Sequence, residues 1–292
     1  MNDLGNKDLG RLAARLECLL ATRAVSLDRV AGNWGLTLYR AESADGRFAV
    51  KTGRPWLPAH LETEARMLAD LHATGFPVPR VIATDERTLV TEWVDNDGAP
   101  LRPIHERAAA EALAALHAVP RPSFGYGYPT QFGALMQPNS PAPDWTSFFR
   151  DRRLVHFASL ALDRRSLEPA LHSRLLRLAD RLDRFCAEPA HPALLHDDVW
   201  TGNILTDGPG LRAIVDPALF CGHPEYELAY VTLHGTFGAA FFDAYAAHHP
   251  IAPGFARLRR DLYLLVPLLQ HAVLSGPVYL HRIDRILAKL GF

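Results

Sequence analysis

The hydrophobic pattern of this chain turns mainly helical past one stretch of linker composition, Asn96-Asp97-Gly98-Ala99-Pro100. Before it, short runs carry the composition and two-residue period of strands, at residues 26–31, 36–41, 47–51, 78–84 and 88–93. Asp45-Gly46 is a hairpin signal between the second and third runs. Leu9, Leu12, Leu16, Leu19 and Leu20 lie on one side of a helix ahead of them, and residues 61–73 read as an amphipathic helix among them. Beyond the linker the spacing is helical over 104–118, 145–160, 167–185, 237–248, 255–274 and 278–290, with two short strands near 204–205 and 211–215. Residues 119–144, rich in Pro, Gly and Tyr, form a long irregular stretch, a length usually functional or disordered. The order predicts an α+β, bilobal chain. A small antiparallel-sheet lobe spans residues 1–94, and a larger, mainly helical lobe spans 95–292.

Composition narrows the partners. With 31 basic and 32 acidic residues, the net charge of −1 gives no attraction to nucleic acid or an acidic membrane surface. Cys18, Cys186 and Cys221 are too far apart for a zinc knuckle, and three cysteines make a poor disulfide framework. The start of the chain is polar, and the most apolar run, 262–269, is far short of a bilayer span. A cytoplasmic protein with no membrane partner is expected, either monomer or homodimer.

The chemistry-bearing residues sit in the second lobe. His196-Asp197-Asp198-Val199-Trp200-Thr201-Gly202-Asn203 places Asn203 five residues after Asp198, and Asp216 follows thirteen residues later, at the end of the apolar run Ala213-Ile214-Val215. Asp and Asn also punctuate ordinary turns. The three-part spacing, however, matches that of a kinase catalytic loop, in which one Asp faces the acceptor hydroxyl while an Asn and a second Asp hold Mg²⁺. His196 is expected to shape this loop by bonding its backbone.

The first lobe offers the matching cation. Only three lysines occur in this arginine-rich chain, and Lys51 is the one away from the ends, closing the run Phe48-Ala49-Val50-Lys51. A lysine there would hold ATP phosphates if a Glu on the next helix oriented it. Glu64 is the expected partner, with Glu62 as the alternative, since the two cannot share a helix face. Backbone groups of Glu92 and Val94 could bond adenine, although a plain buried strand end explains that segment equally well. The phosphate-covering turn should fall at Ala31-Gly32-Asn33-Trp34-Gly35, with Gly32 and Asn33 against the phosphates, although it is not a G-x-G-x-x-G run. A Pro- and Trp-bearing loop, Arg54-Pro55-Trp56-Leu57-Pro58, follows Lys51.

Two longer segments resemble one family within this protein-kinase-like group. Leu194-Leu195-His196-Asp197-Asp198-Val199-Trp200-Thr201-Gly202-Asn203 is similar to the L-[IL]-H-G-D-L-W-S-G-N segment of the fructosamine kinase (ketosamine 3-kinase) family. Asp216-Pro217-Ala218 through Gly222-His223-Pro224-Glu225-Tyr226-Glu227-Leu228-Ala229 looks like its D-P-A-x-x-Y-G-H-x-E-x-[DE]-L-A segment, and Phe124-Gly125 with Asp144-Trp145 and Phe148-Phe149 its linker-to-helix region. The resemblance implies ATP-dependent phosphorylation of a sugar hydroxyl on a ketosamine, small or protein-bound, as deglycation repair. It implies Asp198 as base, Asn203 and Asp216 on Mg²⁺, and Lys51 with Glu64 on the phosphates. His196, Trp200, Glu225 and Arg152 (or Arg153) are expected on the substrate side.

The chain departs from that pattern at Asp197, where the family has Gly, at Trp34, and at Cys221, which replaces an aromatic. Asp197 could perturb Asp198 as a neighbouring like charge, but a side chain pointing to solvent is the expectation. Other readings of the same residues are a kinase of the aminoglycoside/choline group, a nucleotide-binding pseudokinase, and a metal-dependent hydrolase built on His196, Asp197, Asp198 and Asp216. The last leaves Lys51 unexplained.

Overall fold

A computed structural model of the chain describes residues 6–23, 25–33, 35–53 and 60–292. The expected positions Trp34 and 54–58 lie outside the described residues. The chain divides into two units. The first takes in the described residues up to Ala99 together with Leu205–Gly208 and Arg212–Val215, and the second takes in Pro100–Ile204, Pro209–Leu211 and Asp216–Phe292.

The first unit begins with α1 (Asn6–Leu20) and the hairpin strands β1 (Ser26–Asn33), β2 (Leu36–Ser43) and β3 (Gly46–Gly53). Helix α2 (Leu61–His72) and strands β4 (Val81–Asp85) and β5 (Thr88–Glu92) follow. The five strands form one antiparallel sheet in the order β1-β2-β3-β5-β4. Register sets Tyr39 opposite Val50 and Val50 opposite Val90, so three strands contribute to one apolar row. Leu12 and Leu16 of α1 join the same core. Each such buried side chain contributes about 1.5–3 kcal/mol relative to exposure. The period of two then puts Lys51, next to Val50, on the opposite face. Against the sheet, α2 buries Leu61, Ala65, Leu68 and Leu71 at helical spacing, together with Glu64.

The second unit contains α3 (Pro103–His117), the small hairpin β6 (Thr130–Phe132) and β7 (Leu135–Gln137), α4 (Trp145–Phe148), α5 (Val155–Asp163) and α6 (Pro169–Ala179). Strand β8 (Ala193–Leu195) leads to the hairpin β9 (Ile204–Asp207) and β10 (Gly210–Ile214), most of which counts with the first unit, and the chain then returns to the second unit at β11 (Phe220–Gly222). Helices α7 (Pro224–Val231), α8 (Ala239–His248), α9 (Arg260–Ser275) and α10 (Leu280–Leu290) complete it. A π-helical turn, Phe149–Leu154, joins α4 to α5, and β11 pairs antiparallel with β8. The core centres on Trp145, fully buried against Phe148, Phe149, Tyr226 and Tyr263, with its indole N–H donating to the Tyr263 hydroxyl at 3.0 Å.

Helix α7 was not expected from the sequence. All eight of its residues are buried, so no polar face marks its period. Its start is capped by His223, whose Nδ1 accepts the Glu225 N–H at 3.1 Å, and Pro224 occupies the first turn. Among the described residues, no helix is long and apolar enough to cross a membrane.

Candidate active site

In the first unit, Lys51 Nζ donates to Glu64 Oε1 at 2.6 Å, and the pair is largely buried, with side-chain exposures of 16% and 8%. Glu62, the alternative partner, is exposed. The pairing follows from strand alternation on β3 and helical spacing on α2, which aim the two side chains at each other from separate elements. The β1–β2 turn is tight: Asn33 pairs with Leu36, and Gly35 adopts φ 83°, a conformation suited to glycine. Gly32 is exposed just before that turn. Glu92 ends β5 with its N–H donating to Arg80 O at 3.0 Å and its carboxylate accepting the Arg80 N–H at 2.9 Å. Val94 follows, half-buried.

In the second unit, Asp198 is held from three sides. Its Oδ1 accepts the Tyr230 hydroxyl at 2.5 Å, its Oδ2 accepts Asn203 Nδ2 at 2.9 Å, and its own N–H donates to His196 Nδ1 at 3.3 Å. Asn203 Nδ2 also donates to the Asp198 carbonyl at 2.8 Å, closing the loop on itself. His196, fully buried, bonds the backbone of the loop, and its burial takes it off the substrate side where it was also expected. The Trp200 indole folds over Gly202, where a Cβ would sit 2.4 Å from the ring. That close approach gives the Trp-Thr-Gly-Asn spacing a physical reason.

Asp216 stands just past β10 at φ 58°, with an exposed side chain. Two residues on, the Ala218 N–H donates to the His196 carbonyl at 2.8 Å, tying this segment to the loop that carries Asp198. Because the Asn203 amide nitrogen faces Asp198, its oxygen is the atom left to meet a cation. Asn203 and Asp216 together offer hard oxygen donors of the kind Mg²⁺ takes, with water filling its remaining positions. Among the described residues, no group of three His, Cys, Asp or Glu side chains is placed to hold a metal ion.

Beneath the loop lies a buried polar layer that the sequence reading passed over. Glu227 on α7 accepts the backbone N–H groups of Asp197 at 2.7 Å and His196 at 3.2 Å. It also pairs with His117 Nε2 at 2.7 Å, whose Nδ1 meets the Tyr245 hydroxyl at 2.7 Å. Burial alone would push the Glu227 carboxyl up, but the His117 hydrogen bond and charge, the His196 charge and the Asp197 N–H together hold it below the usual carboxylate value. The [DE]-L-A triplet was the available sequence signal for Glu227. No spacing signal pointed to Tyr230.

Two expectations are corrected here. Asp197 does not face solvent: at φ 64° its side chain turns inward and is buried. Burial raises its carboxyl well above the usual value, with the charge of Arg153 opposing and those of Glu227 and Asp198 adding. Gln137 Nε2 donates to its Oδ2 over a long 3.5 Å. Glu225 is not on the substrate side either. It is buried and receives both Nε and Nη2 of Arg259, at 2.5 and 2.7 Å. Of the two arginines, Arg152 is half-buried on the π turn, whereas Arg153 is wholly buried. Arg153 donates to Pro138 O and Asn139 Oδ1 and lies 4.0 Å from the Phe220 ring centroid; burial brings its pKa down to about 10.

Known proteins resemble this chain over most of its length. The family model described as fructosamine kinase matches residues 21–291. The chain is 30% identical over 270 residues to the chloroplastic protein-ribulosamine 3-kinase of Arabidopsis thaliana, covering 89% of this chain and 80% of that one. The crystal structure of a "putative fructosamine-3-kinase" from Thermobifida fusca superposes with TM-score 0.86 at 33% identity, covering 96% of this chain and 99% of its own. An aminoglycoside phosphotransferase in ternary complex with ADP and hygromycin B shares the fold alone, with TM-score 0.68 at 16% identity over 95% and 98% of the two chains. The fold is the α+β, protein-kinase-like one, and the chain belongs to the fructosamine kinase family.

Proposed function

We propose that this chain transfers the γ-phosphoryl group of ATP to a sugar hydroxyl of a ketosamine of the ribulosamine or fructosamine type, free or carried on a protein amine. The observation that carries the reading is the Asp198 carboxylate, fixed by donors on both oxygens at the head of the loop that ends in Asn203.

Asp198 accepts the proton of the attacking hydroxyl and orients it toward phosphorus. Asn203 and Asp216 would hold Mg²⁺, which when bound offsets negative charge on the phosphates. Lys51, oriented by Glu64, would contact the α- and β-phosphates. Gly32 and Asn33 would cover them, and backbone groups of Glu92 and Val94 would meet the adenine. Trp200, 38% exposed on the loop, would offer a flat apolar face to a sugar ring, Arg152 would serve the substrate side, and the buried His196 would act through the shape of the loop.

ATP turnover across ribulosamines, fructosamines, an aminoglycoside and choline tests the reading. Ketosamines should be the substrates turned over, and preference for the aminoglycoside or choline would overturn the substrate class. Asp198→Ala should abolish transfer while ATP binding, followed by thermal shift, is retained. Asp216→Ala should instead weaken Mg²⁺-dependent nucleotide binding.

A further inference from the structure

We infer that Tyr230 is a positioning residue for phosphoryl transfer, its hydroxyl locking the Asp198 carboxylate in the orientation that receives the acceptor proton. The inference rests on the reading of Asp198 as the base.

A carboxylate turns easily about its last torsion, so one hydrogen bond leaves its second oxygen free to swing. Here the two oxygens have separate donors on separate elements, Asn203 Nδ2 on Oδ2 and the Tyr230 hydroxyl on Oδ1. Asn203 belongs to the same loop as Asp198 and moves with it. Tyr230 belongs to α7, the helix that also carries Glu227 and through it holds the backbone of His196 and Asp197. One rigid helix therefore fixes both the main chain of the loop and the side chain of its base.

The phenol is itself held. Tyr230 is 2% exposed, with the Phe132 ring edge-on at 6.0 Å and the His234 ring at 6.1 Å. Burial and the neighbouring Asp198 charge raise its pKa well above the ordinary value, so it keeps its proton and remains the donor. During transfer the acceptor O–H proton passes to Asp198, the new O–P bond forms and the bond from phosphorus to the ADP oxygen breaks. The tyrosine proton stays where it is. The residue thus acts through Asp198 and not on the substrate. Near-attack alignment is sensitive to displacements well under an ångström, which is what the lost bond would allow.

Steady-state kinetics of Tyr230→Phe and Asp198→Asn, with ATP and a ribulosamine, test this. Tyr230→Phe keeps the ring and removes only the hydroxyl. Its kcat should fall about tenfold or more, with the KM for ATP within about twofold and the melting temperature within about 3 °C of wild type. If Asp198→Asn is inactive while Tyr230→Phe keeps kcat within about twofold, the inference fails and the base assignment stands. If Asp198→Asn retains transfer, the base assignment itself fails, and this inference with it. A Tyr230→Phe protein that loses ATP affinity, kcat and thermal stability together would mark a merely structural tyrosine and overturn the proposal.

Discussion

Glu227 Oε1 accepts the backbone N–H of Asp197 at 2.7 Å, so the left-handed turn that opens the Asp198 loop is held by a carboxylate from another element. The same carboxylate takes the His196 N–H and His117, and all of these groups are buried. Glu227→Ala would strand three donors away from water. Breaking a buried charged cluster in this way costs about 3–5 kcal/mol. For a chain of this size that lowers the melting temperature by roughly 10 °C. Calorimetry or a thermal melt checks it, and a loss under about 2 °C would show that the donors find other partners.

The Arg259–Glu225 pair separates structure from substrate contact. Glu225→Gln keeps the shape but removes the charge that meets Arg259 through two nitrogens. A drop in stability of about 2–4 kcal/mol is expected, with the KM for ketosamine unchanged. A raised ketosamine KM at unchanged stability would return Glu225 to the substrate side.

What the sequence could reveal follows from how each feature is encoded. Lys51, Glu64, Asp198 and Asn203 were legible because spacing on a strand, a helix or a short loop fixes which side chains meet, and two of the resulting contacts are direct. Helix α7 was not, because burial on every side erases its period. Glu225 was misread because a motif gives identity without direction: the same glutamate could face a ligand or Arg259. Asp197 was misread because its direction is set by a positive φ that nothing local announces in a non-glycine residue. Tyr230 lies 32 residues from Asp198, and only the packing of α7 brings them together.

The Lys51–Glu64 pair makes a prediction about charge shape. Lys51→Arg keeps the cation but replaces a compact ammonium by a wide planar fork in a site where Nζ sits 2.6 Å from Oε1. Lys51→Arg should therefore raise the KM for ATP nearly as much as Lys51→Met, by about tenfold or more. Lys51→Met should also cost stability, because it leaves Glu64 buried without its cation. An arginine variant with ATP kinetics like wild type would show that charge alone suffices at this position.

Asp197 gives a stability that depends on pH in a definite direction. Its carboxyl in the folded chain sits well above the ordinary 3.8 because burial disfavours the charged form. Below about pH 4 the side chain is protonated folded and unfolded, and titration contributes nothing against folding. As pH rises toward the folded value, the unfolded chain loses the proton first, and the folded chain becomes progressively less favoured. Asp197→Asn keeps the size and cannot ionise. The melting temperature of Asp197→Asn minus that of wild type should therefore grow as the pH is raised from about 4 until the folded carboxyl itself titrates. Glu227 has the opposite sign, its stabilisation being lost only as pH falls, but it is present in both proteins and cancels to first order in the difference. A difference that stays flat across that range would mean that Asp197 is ionised in the fold, paired with Arg153 strongly enough to offset its burial.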